Sequence, residues 1–205
     1  MLQWLATIDG LSTYELLDLN KIPQYDEADI IEALQDGIAI MEALSVMDAS
    51  VFRRNAISYD ESDSYQAYSN YKMALGGLHS FYEQLHGFDE SEAQTADQNT
   101  LVFNCLNTLS QRLQTMKNDI EQTSIRSINQ AAFVNLESLM LILELALGVA
   151  VNCESTEQII GSFTEKLNEV VLDDLMQITQ DVLPKYCKKE EEDEDSQPSM
   201  VMGAN

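Results

Sequence analysis

An all-α fold follows from three features of this sequence. Punctuation is sparse, since 205 residues contain only 8 Gly and 3 Pro. No apolar–polar alternation persists beyond a few residues, so nothing reads as a strand. The stretch Leu136 to Cys153, LESLMLILELALGVAVNC, has Glu144 as its one charge between Ser138 and Val151. Apolar residues on every side of a helix mark either the centre of a core or a membrane span. This run falls short of the roughly 20 predominantly apolar residues that a bilayer requires. Glu137 and Glu144 would also sit at or near hydrocarbon, which is costly. We read it as a buried central helix that amphipathic helices surround.

The elements follow in order. Met1 to Asp9 forms a short amphipathic helix with Leu2, Trp4, Leu5 and Ile8 apolar, and Trp4, the only tryptophan, anchors it in the core. Gly10 closes it, and Ser12 caps a short turn through Tyr14, Leu16 and Leu17. Lys21 to Glu27, which contains Pro23, is loop. Asp29 opens ADIIEALQ, Asp36-Gly37 interrupts it, and IAIMEALSVMD resumes. Glycine inside a helix costs about 1 kcal/mol relative to Ala, so the pair reads as a break and restart. Phe52 to Gln66 is a polar, solvated loop bearing Arg53-Arg54. From Tyr68 to His86 the positions Tyr71, Leu75, Leu78, Tyr82 and Leu85 keep a helical period. Gly76-Gly77 within it suggests the close approach of another helix.

An acidic, Gln-rich linker from Gly87 to Asn99 leads to Val102, Leu106, Leu109, Leu113, Met116 and Ile120, which recur at four- and three-residue steps. That spacing fits core packing or a short coiled-coil seam, and a pattern under three heptads favours the core. Thr123 to Gln130 connects to the central helix. Ser155 and Gln158 then stand at capping-box spacing. Thr156 to about Tyr186 is read as one helix, roughly 45 Å long at 1.5 Å per residue.

This last helix carries two apolar stripes. One runs Ile160, Phe163, Leu167, Val171, Leu175, Ile178, Val182, and the second runs Leu172, Met176, Thr179, Leu183. One stripe suffices to dock a helix on a core. The second either lines a groove for an amphipathic partner helix or is buried by the helix at Val102 to Ile120. We take the groove as the expectation, with Val171, Leu172, Leu175, Met176, Ile178, Thr179 and Leu183 as its residues; the flexible thioether of Met176 suits such a surface. Pro184 lies in the last turn, and Lys185, Lys188 and Lys189 complement a helix C-terminus. The chain thus divides into a helical core (1–153) with an extra helical insertion at about 87–130, an extended last helix (154–186) and an acidic, disordered tail (187–205).

Charge narrows the function. The formal net charge is −24, and removing the six acids of Glu190 to Asp195 from the 35 present leaves 29 against 11 bases. Such a chain is repelled by phosphate backbones and anionic lipid, so we expect no nucleic acid and no direct membrane binding. Three cysteines without a CxxC form no disulfide framework and favour a reducing compartment. No signal segment precedes the first helix, so a cytoplasmic location is expected. His79 and His86 lack further ligands at metal spacing. Asp60 to Asp63 lacks the glycine and the twelfth-position carboxylate of a calcium loop. No phosphate loop, nucleophile elbow or catalytic triad is visible, so we expect no enzyme and no cofactor.

Four stretches in order resemble the Hook family, whose N-terminal domain is a variant calponin-homology fold. They are LQWLATI around Trp4, LQDGIAIMEALSVMDASVF from Leu34 to Phe52, SNYKMALGGL from Ser69 to Leu78, and LGVAVNCE from Leu147 to Glu154. They keep the family's order, the resemblance as a whole extends over about two-thirds of the chain, and the segment from about Gly87 to Gln130 departs as an insertion. The resemblance implies the head of a dynein–dynactin cargo adaptor, dimeric through a coiled coil outside this chain. It implies a receptor for an amphipathic helix of the dynein light intermediate chain, lodged against the last helix, with microtubules reached indirectly. Its cargo would place it at endosomes, the nuclear envelope or the centrosome. In that family a Gln and an Ile on this helix contribute to the contact. Here the Gln position falls on Val171 or Leu172 and the Ile position on Ile178 or Thr179, so the Gln is missing. An apolar helix-in-groove mode remains available. The alternatives are direct microtubule or actin binding by the calponin-homology-like surface, with Arg53-Arg54 as its local patch, and a structural head that dimerises through the second stripe.

Overall fold

The computed structural model describes residues 2–8, 17–60, 63, 65–86, 96–123 and 134–186, the side chains of 96–100, 122–123 and 183–186 excepted. Among the described residues every regular element is helical, so the chain is all-α. The helices are α1 (Leu2–Ala6), α2 (Glu27–Leu34), α3 (Ile38–Met47), α4 (Gln66–His86), α5 (Ala96–Thr123), α6 (Leu136–Asn152), α7 (Thr156–Lys166) and α8 (Glu169–Tyr186). The turn expected around Ser12 and the acidic tail lie outside the described residues, as do most of both connections flanking α5.

The centre is α6. Asn135 caps it by accepting from the Ser138 amide at 2.8 Å. Its buried face runs Leu139, Ile142, Leu143, Leu145, Ala146, Leu147, Val149, Ala150, and α2, α3, α4, α5, α7 and α8 all pack on it. The burial is not all-round. Met140, Leu141 and Glu144 are only half-buried, so Leu141, expected in the core beside Leu145 and Leu147, stands at its margin. Trp4, Leu44, Leu75, Leu145 and Leu147 are all buried.

Local chemistry sets the other boundaries. Helix α2 begins two residues before Asp29: the Asp26 carboxylate accepts from the amides of Ala28 and Asp29, while the Asp29 carboxylate accepts from the Asp26 amide. That reciprocal pair is a capping box. The break at Asp36-Gly37 is present. Gly37 sits at φ +72°, and Asp36 Oδ1 accepts from the Ile38 amide at 2.9 Å to start α3. A side chain at Gly37 would be strained there and would also press on Asn70 and the Tyr71 ring. At the next junction Ser155 occupies the N-cap of α7 but its side chain makes no cap bond; the Thr156 hydroxyl instead donates back to the Cys153 carbonyl. No Ser155–Gln158 capping box forms.

Two expectations are corrected by packing. Gly76-Gly77 does not admit another helix: a Cβ at Gly76 would meet open space, whereas one at Gly77 would lie 2.4 Å from the ring of Phe52. Nor is the segment from Phe52 to Gln66 a free loop. Phe52 and Ile57 are buried, and Asn70 ties the loop down, accepting from the Ser58 amide while donating to the carbonyls of Asp36 and Ser58. Helix α5 packs Val102, Leu106, Leu109, Leu113 and Met116 inward, chiefly against α4 and also against α8. The 4-3 pattern is therefore a core face.

The largest departure concerns the last helix. Thr156 to Tyr186 is two helices, broken at Leu167-Asn168. Leu167 is extended (φ −96°, ψ 146°) and packs on the core. Asn168 Oδ1 accepts from the Val171 amide at 3.1 Å, the geometry of an N-cap. The chain therefore turns, and α8 lies back on α5 and α6 instead of projecting from the core.

Candidate interaction site

Helix α1 is short, and its partners hold it in place. The Trp4 ring meets Phe163 of α7 edge-on, with centroids 5.9 Å apart and planes at 64°. The Thr7 carbonyl just beyond α1 accepts from Ser162 Oγ at 2.9 Å and from Lys166 Nζ at 2.7 Å, both on α7. These contacts set Gln3 and Trp4 opposite one flank of α8.

Between them lies a cleft of about 320 Å³, lined by Gln3, Trp4, Val171, Asp174, Leu175, Gln177, Ile178 and Asp181. At Gln3 and Val171 it continues into a shallower trough bounded by Pro23, Asn168, Glu169 and Val170. The floor is apolar: Leu175 is buried, and Val171 and Ile178 are half-buried. The rim on α8 is polar, formed by Asp174, Gln177 and Asp181, all exposed. Trp4 is only 1% exposed, and its indole N–H meets no acceptor among the described residues. Such an unmet buried donor costs about 1–3 kcal/mol.

The seven residues expected on the groove separate by face. Val171, Leu175 and Ile178 line the cleft. Leu172 and Thr179 are half-buried on the adjoining flank of α8, with the Thr179 hydroxyl donating to the Leu175 carbonyl at 2.8 Å. Met176 stands 60% exposed beside them. The side chain of Leu183 lies outside the described residues. The second stripe is thus neither an open groove nor fully covered, because α8 presents its first stripe, Leu175 and Val182, to the core. Gln3, Asp174, Gln177 and Asp181 had no apolar pattern to reveal them; the seven-residue spacing of the two aspartates was their one sequence signal.

A second polar cluster joins α3 to the loop before α4. Glu42 is 5% exposed and its Oε1 accepts from Tyr59 Oη at 2.6 Å and from an Arg54 guanidinium nitrogen at 3.3 Å. Burial, then the bond to Glu42, raises the Tyr59 hydroxyl above its usual range. The Glu42 charge raises Arg54 further, so that guanidinium stays cationic. Arg54 is therefore engaged by Glu42. Among the described residues no group of three or more His, Cys, Asp or Glu could hold a metal ion, and no single helix is long and apolar enough to cross a membrane. Set against known protein families, curated proteins and solved structures, the chain matches none.

Proposed function

We propose that this calponin-homology-like helical domain is a non-enzymatic interaction module that seats an amphipathic helix in the cleft between α1 and α8. The observation that carries the reading is the cleft itself, whose apolar floor of Val171, Leu175 and Ile178 runs along one helix for two turns. An amphipathic helix laid in such a groove buries anchors at i, i+3, i+4 and i+7. The Hook resemblance names the occupant as a helix of the dynein light intermediate chain, so that the domain links cargo or an organelle to dynein on microtubules. The missing Gln leaves the contact to apolar packing. Direct filament binding has less support, since the patch it would use is half spent on Glu42.

The test is a titration of the 205-residue chain with a peptide from the C-terminal region of that light intermediate chain. Ile178→Asp abolishes binding, and Met176→Asp leaves it unchanged. Because Ile178 is half-buried, Gln3→Arg provides a second block from the α1 side, with little effect on the melting temperature. Loss with Met176→Asp alone moves the ligand to the other flank. No binding by the parent overturns the reading.

A further inference from the structure

We infer that the α1–α8 cleft selects for a cationic helix, one that brackets its apolar face with Lys or Arg at positions i and i+7. The inference rests on the cleft being a helix receptor and adds the charge and spacing of the ligand. Both charged residues lining the cleft, Asp174 and Asp181, are acidic and exposed, and Glu169 borders the trough that continues it. Among the described residues no base lines either part. The two aspartates are seven residues apart, two turns of α8, which puts them on one flank about 10.5 Å apart along the axis. A ligand helix running alongside repeats that distance at i and i+7, and its apolar residues at i+3 and i+4 then face Leu175 and Ile178. The opposite wall is Trp4, whose buried indole N–H meets no acceptor among the described residues. The net charge of −24 adds a field that draws cationic ligands in and repels acidic ones.

Trp4 is the only tryptophan, so its emission in the whole chain reports the cleft directly. The probes are two tryptophan-free helical peptides with one Leu/Ile face, carrying Lys at i and i+7 in the first and Glu in the second. The Lys peptide shifts Trp4 emission at lower concentration than the Glu peptide, and added salt narrows the gap. Replacing both rim acids, Asp174→Asn with Asp181→Asn, weakens the Lys peptide roughly twofold to thirtyfold, the range for two exposed ion pairs. Both positions are exposed, so circular dichroism of the variant matches the parent. Equal affinity for the two peptides, or a Lys preference that survives the double substitution, overturns the charge selection while leaving the helix receptor standing. Failure of both peptides overturns both readings. A Trp4 shift that follows protein concentration alone assigns the cleft to a second copy of the chain and overturns the inference as well.

Discussion

Gly76 and Gly77 are adjacent on α4, yet substitution should move stability in opposite directions. A methyl at Gly76 enters open space, so Gly76→Ala gains helix propensity and stabilises by up to about 1 kcal/mol. A methyl at Gly77 would overlap the buried ring of Phe52, so Gly77→Ala is an overpacking change and destabilises by about 1–3 kcal/mol. Urea denaturation of the two variants decides it, and equal midpoints would refute the packing. Nothing in the sequence separates the two positions, because the atom that distinguishes them arrives from a loop 25 residues away in the chain. Tyr71 supplies a pH test. It is fully buried and donates to the Leu34 carbonyl, and burial, with the nearby Asp36 charge, raises its hydroxyl well above the usual tyrosine range. Its folded state therefore holds a proton that the unfolded chain releases above about pH 10. This contribution to stability is fully present below that pH and is lost as pH rises through the window above it. Tyr71→Phe costs about 1–3 kcal/mol near neutrality through the orphaned Leu34 carbonyl. Its unfolding free energy then falls less steeply than the parent's above pH 10, which denaturation at several alkaline pH values measures.

At the level of elements, apolar periodicity reported contacts well and turns poorly. It showed α3, α4, α5 and α6 because each lays a continuous row on the core. It also joined α7 to α8, since the row from Ile160 to Val182 keeps three- and four-residue steps across the bend at Leu167. No Gly or Pro marks that bend; Asn168 before Glu169 was its signal, a cap and an acid in the first turn. Asn168→Ala therefore uncaps α8 and destabilises it by about 0.5–2 kcal/mol. Because Val171 donates to that cap and also lines the cleft, helix-peptide affinity drops with it, whereas a substitution at exposed Glu165 of α7 leaves both unchanged. The centre and the margin of α6 give a matched pair. Leu145→Ala, at a fully buried position, costs about 2–5 kcal/mol. Leu141→Ala, half-buried, costs less than that range. Similar losses for the two in denaturant titrations would show the helix to be enclosed on all sides, as its sequence alone suggested.

On the scale of the whole molecule, charge decides more than shape. With 35 acids and 11 bases the surface potential is negative, and microtubules and actin filaments are themselves acidic. The paired bases of the N-terminal half do not form a free cationic patch, because the Arg54 guanidinium lies 3.3 Å from the Glu42 carboxylate with Tyr59 beside it. Sequence could identify the pair but not that engagement, since Glu42 lies 12 residues from Arg54 on an otherwise apolar helix. The chain by itself should therefore stay in the supernatant when microtubules are sedimented at physiological salt. Screening over a Debye length of roughly 8 Å weakens the repulsion without reversing its sign, so raising the salt does not create binding. The informative variant is Glu42→Gln, which frees Arg54 beside Arg53 while removing one acid. If a latent basic patch exists, this variant pellets with filaments at low salt and is released as salt rises, whereas the parent never pellets. Micromolar co-sedimentation of the parent that fades with added salt would instead reveal a basic surface that binds filaments directly, against the charge argument.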